Sequence, residues 1–133
     1  MAVTRRSVLA AIAQGGGLAL TLGRGSAFAA TSSQPSDPVA AKLRSLLSDP
    51  FSARHIGQIY LQQASAENNP TRLASLILSS LELTSQDALR LERGALSKLF
   101  SVGVRADFAA GRTVCLNGWI LSRTEARICA LWT

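Results

Sequence analysis

Asn69-Pro70-Thr71-Arg72-Leu73-Ala74-Ser75-Leu76-Ile77-Leu78-Ser79-Ser80-Leu81 is the stretch whose reading decides the fold. An Asn side chain can accept from the free amides of a first helical turn, and Pro at the next position has no amide to satisfy. Leu73, Leu76, Ile77 and Leu81 then recur at three- and four-residue steps, the spacing of one apolar helix face. The same Asx-Pro start appears at Asp37-Pro38, followed by Val39, Leu43, Leu46 and Leu47. It appears again at Asp49-Pro50, followed by Ile56, Ile59 and Tyr60. Thr84-Ser85-Gln86-Asp87 is close to a capping box and opens a fourth helix. Its expected inner face is Ala88, Leu91, Ala95, Leu99 and Val102, flanked by Leu89, Leu96 and Phe100. Gly94 interrupts that helix at a point suited to a close contact, Gly103 marks its expected end, and a short turn over 106–110 is expected to stop at Gly111.

The last third changes period. Thr113-Val114-Cys115-Leu116 and Trp119-Ile120-Leu121 flank Asn117-Gly118, a pair that tolerates positive φ and predicts a tight hairpin near 113–121. Ser122-Arg123-Thr124-Glu125 is a full capping box, opening a last helix that carries Ile128, Leu131 and Trp132. The expected fold is mainly α, a small bundle of about five helices with a short β-hairpin, occupying residues 37–133 as a single domain.

The N-terminal residues read as an address. Thr4-Arg5-Arg6-Ser7-Val8-Leu9 resembles the signal of the bacterial twin-arginine export system. Val8 to Leu22 is weakly apolar and broken by Gly15, Gly16 and Gly17, too short and glycine-rich for a membrane span, which needs about 20 mostly apolar residues. Ala27-Phe28-Ala29 is a small-x-small cleavage pattern, with Arg24 just before it. The expected organisation is a signal over 1–29 and a Ser/Thr/Pro/Gln linker over 30–36. The resemblance implies a periplasmic protein that meets the export machinery, and the membrane only transiently.

Composition then needs correcting for the signal. The chain of 133 residues has a formal charge of +6, but Arg5, Arg6 and Arg24 belong to the signal. Processing after Ala29 leaves 104 residues with 11 Lys and Arg against 8 Asp and Glu, a charge of +3. No dense basic run remains, which argues against a nucleic-acid partner. Cys115 and Cys129 would reach an oxidising compartment after export. There they could form a disulfide between hairpin and last helix, contributing about 3 kcal/mol, or stay as two unpaired thiols.

No chemistry announces itself. His55 is the single histidine and reads as a helix-flank residue. No Cys-x-x-Cys-His, zinc spacing or glycine-rich phosphate loop is present, so neither a metal nor a cofactor is expected. Asp107 and Glu125 flank the hairpin, but they read as an ion pair with Arg105 or Arg112 and as the capping-box acid, not as an acid and a base. Trp119 with Arg123 and Arg127, arginines one helical turn apart, is the candidate interface, since Trp and Arg anchor protein contacts. The alternative is that Trp119 covers the core beneath the hairpin while the arginines are solvated.

The run His55-Ile56-Gly57-Gln58-Ile59-Tyr60-Leu61-Gln62 is similar to a Gly-Gln/Arg-x-Tyr-Leu helix in the small subunits of bacterial membrane-associated sugar and alcohol dehydrogenases. Those subunits are twin-arginine-exported, mostly helical and without a redox centre, and they carry the signal for a large flavin subunit. The resemblance covers the signal and part of the helical region. It implies a non-catalytic accessory subunit that escorts or stabilises a larger periplasmic oxidoreductase. The segment from Asp107 to Ala130 departs from that family and looks like the end of other twin-arginine-exported proteins. A stand-alone periplasmic helical domain that binds an unknown ligand is the competing expectation.

Overall fold

The computed structural model describes residues 37–133. The signal and linker assignments, with Arg5, Arg6, Ala27 and Ala29, therefore lie outside the described residues. Six α-helices, one 3-10 turn and a two-stranded antiparallel hairpin follow one another: α1 (Pro38–Arg44), α2 (Pro50–Gln63), the 3-10 turn (Ser65–Glu67), α3 (Pro70–Ser80), α4 (Ser85–Arg90), α5 (Arg93–Ala109), β1 (Thr113–Leu116), β2 (Trp119–Ser122) and α6 (Arg123–Ala130). The mainly helical class with a C-terminal hairpin is as expected.

The helix starts behave as their chemistry requires. Asp37 accepts from the amides of Val39 and Ala40, Asp49 from Phe51 and Ser52, and Asn69 from Arg72, each with Pro at the first position. Thr84 and Asp87 complete a reciprocal capping box, as do Ser122 and Glu125. At Asp49 and Asp87 these bonds favour the ionised form: the Ser52 hydroxyl lowers the first pKa and the Thr84 side chain the second. The turn residues Asn117 and Gly118 both have positive φ, 50° and 84°, and set the register Val114 to Leu121 and Cys115 to Ile120.

The expected fourth helix is two helices. Leu91 and Glu92 are extended, with ψ of 139° and 154°, so the chain breaks between α4 and α5. The carbonyls this exposes are not left dry: the Lys42 ammonium of α1 donates to Leu89 O at 2.6 Å and to Leu91 O. The break resets the helical phase. Leu96, Gly103 and Asp107 turn inward, while Ala95, Ala106 and Ala109 are exposed, as is Val102 at 60%. Helix α5 also runs straight through Gly103 and absorbs the turn expected over 106–110. A Cβ on Gly103 would lie 2.5 Å from Leu81 Cδ2, at the C-cap of α3, so a larger residue here would force that side chain to shift. Gly94, by contrast, has open space around it.

Helix α6 is the hub. It touches α1, α2, α3, α5 and both strands. Its own Ile128 and the surrounding Leu43, Leu73, Ile77 and Leu96 are the largest fully buried apolar side chains, joined by the small polar Ser122 and Thr124. No helix among the described residues is long and apolar enough to cross a membrane.

Candidate functional site

The hairpin end is held by a buried carboxylate. Asp107 comes from the last turn of α5 and is almost fully buried. Its Oδ2 accepts from the Thr124 amide at 3.0 Å and the Thr124 hydroxyl at 2.7 Å, and its Oδ1 from Arg112 Nε at 2.8 Å. Burial works to raise its pKa, but the donors from Thr124 and Arg112 outweigh burial and leave it lowered. One carboxylate thus satisfies a free amide at the start of α6 and fastens α5 to the hairpin. The backbone adds two links, Arg112 N–H to Asp107 O at 2.8 Å and Arg123 N–H to Arg112 O at 3.0 Å. Asp107 is paired with Arg112, one of the two partners expected. Glu125 accepts from the Ser122 amide at 3.0 Å as the cap acid.

The three candidate interface residues separate. Trp119 is 58% exposed, beside Ile120 at 65%, and Arg123 is exposed at the start of α6. Arg127 is drawn inward: its side chain is only 11% exposed and grips Glu67 with two bonds, 2.9 Å from Nε and 2.8 Å from Nη2. It is not a solvated arginine. Tyr60 donates its hydroxyl to the same Glu67 at 2.7 Å. Burial, then the bond to Glu67, pushes the Tyr60 pKa up to about 12. The Arg127 guanidinium holds Glu67 below the usual carboxylate range, and Glu67 in turn raises Arg127.

This triad was not read from the sequence. Glu67 sits in the 3-10 turn, sixty residues from Arg127, with no periodic signal of its own. The available cue was Tyr60, whose polar tip on an apolar helix face needs a buried partner. Gly57 was also passed over. A Cβ there would lie 2.4 Å from Cys129 O and 2.7 Å from Ala130 Cα, so α2 and α6 meet backbone to backbone.

Cys115 and Cys129 are both free thiols in the structure, the second of the two alternatives. Cys115 is exposed on β1 opposite Ile120. Cys129 is buried against α2, and burial, with the Glu125 charge second, pushes its thiol up to about 11, unsuited to a reactive thiolate. His55 is exposed on α2. Among the described residues no group of three or more His, Cys, Asp or Glu is placed to hold a metal. A surface groove of about 360 Å³ runs between α1, α3 and the start of α4, lined by Thr71, Ser75, Ser79 and Thr84 with Val39 and Leu78, and includes none of the interface candidates.

The described site therefore offers contact surface: an exposed tryptophan and isoleucine on a braced hairpin, beside a long helix with an exposed face. No family model, curated protein or solved structure matches the chain.

Proposed function

We propose that this chain is an exported, non-catalytic accessory subunit that escorts or stabilises a larger periplasmic oxidoreductase, and that it docks through α5. The observation that carries the reading is the outer stripe of that helix. Ala95, Leu99, Val102, Ala106 and Ala109 follow one another at alternating steps of four and three, the seam a partner helix packs into. The fold leaves this seam outside: Leu99 is half-buried and the other four are exposed. Titratable groups with displaced pKa values support the same reading. Glu67, Asp107 and Arg127 are engaged in holding the fold, and Cys129 is buried in it. The export and oxidoreductase parts rest on the Arg5-Arg6 signal and on the likeness of His55 to Gln62 to dehydrogenase small subunits.

Val102→Glu tests the docking surface. Val102 is solvent-exposed, so the variant is expected to keep the melting temperature of the parent chain and to lose a co-purifying larger protein. Arg5→Lys with Arg6→Lys is expected to hold that protein in the cytoplasm. A native chain that sediments from periplasm as a monomer without a bound protein would reject the escort role. It would favour a stand-alone binding domain, for which the hydroxyl-lined groove is the place to look.

A further inference from the structure

We infer that the β1–β2 hairpin is a docking element for an anionic phospholipid surface, with Trp119 and Ile120 entering the bilayer interface and Arg112 and Arg123 meeting the phosphates. The argument is one of order along the hairpin. Trp119 and Ile120 lie next to the Asn117-Gly118 turn and are the two most exposed large apolar residues of the hairpin. Arg112 and Arg123 lie at its other end, just beyond the Thr113–Ser122 pair, and are joined through the backbone. At about 3.3 Å per strand residue, Ile120 stands at most about 10 Å and Trp119 at most about 13 Å from the level of Arg123, so a tilted hairpin holds both within interfacial depth. Interfacial elements bury their apolar side about 5–10 Å into the headgroup and acyl boundary, with cations left at the phosphates. Tryptophan is the residue suited to that depth, apolar with one polar edge.

Charge selects the kind of surface. Around the hairpin base Arg112 pairs with Asp107 and Arg127 with Glu67, while Arg123 is exposed beside them. Glu125 is engaged by the Ser122 amide. Arg112 remains half-exposed and Arg123 exposed. A bilayer with anionic headgroups offers the complementary charge at the required depth, and each added cation strengthens such binding about fivefold. The inference is independent of α5 docking, since it uses a different surface.

The test uses the full chain with Trp132→Phe, which leaves Trp119 as the single tryptophan. On phosphatidylglycerol-containing vesicles its emission is expected to shift to the blue and to be quenched by lipids brominated on the acyl chain. Ile120→Glu is expected to weaken binding at least about tenfold, and Arg123→Gln about fivefold at low salt, with the loss vanishing at high salt. Both positions are exposed, so an unchanged melting curve separates lost binding from lost folding. In the complementary Trp119→Phe chain, Trp132 should stay unquenched. Sedimentation of the protein with vesicles while Trp119 is unquenched would overturn the inference, since binding would then run through another segment. Equal quenching on phosphatidylcholine vesicles, or a Trp119 shift seen only with a protein partner, would overturn it as well.

Discussion

Helices α2 and α5 are both long and both marked by glycine, yet they are held in opposite ways. Helix α2 meets α6 with no side chain between Gly57 and the backbone of Cys129 and Ala130, and the 3-10 turn that follows it is clamped by Glu67 to Arg127. Helix α5 fully buries only Leu96, Gly103 and Asp107, with Phe100 half-buried against the core, and Asp107 fastens it to the hairpin end through both its carboxylate and its backbone carbonyl. Its Gly94 touches nothing. The contrast shows that amphipathic spacing identifies a helix without saying which of its faces the fold will use. Close backbone approach and a buried charge decided that here.

The same substitution on the two helices should give opposite signs. Gly57→Ala places a Cβ 2.4 Å from a backbone carbonyl that cannot move aside. A loss of about 3 kcal/mol in urea unfolding is expected, and an unchanged transition would show that α2 and α6 are not in contact as described. Next in size is Glu67→Gln, which removes the charge that Arg127 grips and leaves one oxygen to accept where two served the buried Tyr60 and Arg127, and should cost about 2 kcal/mol. Because the folded-state pKa of Glu67 is depressed, its contribution is complete above the ordinary value of 4.5 and is lost as pH falls through the lower folded value. Unfolding free energy plotted against pH below 4.5 should therefore fall less steeply in Glu67→Gln than in the parent. Equal slopes would place the stabilisation elsewhere. Smallest is Gly94→Ala in α5, where open space and helical backbone favour Ala. A gain of about 0.5–1 kcal/mol is expected, read as a higher melting temperature.

Local chemistry was legible in the sequence wherever it was written within a few residues. The Asx-Pro starts, both capping boxes and the Asn117-Gly118 turn each carry donor, acceptor and backbone preference in a single short run, and each formed as read. What was not legible depended on residues far apart. The break at Leu91–Glu92 is tied by Lys42, nearly fifty positions earlier. Hydropathy favoured the Ala95–Leu99–Val102 face of α5, but the inward face carries Leu96, the half-buried Phe100, a missing side chain at Gly103 and a carboxylate at Asp107. Only two of those four positions register as apolar. Of the interface candidates, Trp119 and Arg123 remain at the surface, while Arg127 was claimed by a glutamate whose position no local pattern marks.

The central place of α6 has a consequence for how the chain comes off the ribosome. Vectorial synthesis delivers α1, α2, α3 and α5 before the helix they all pack against. Gly57 waits some seventy residues for its backbone partner, which at roughly 5–20 residues per second is several seconds. Until then α1, α3 and α4 can pack only on one another, and the faces that α6 covers stay open. The domain is completed in one late step, and any stop codon before Arg123 leaves a chain with its core uncovered.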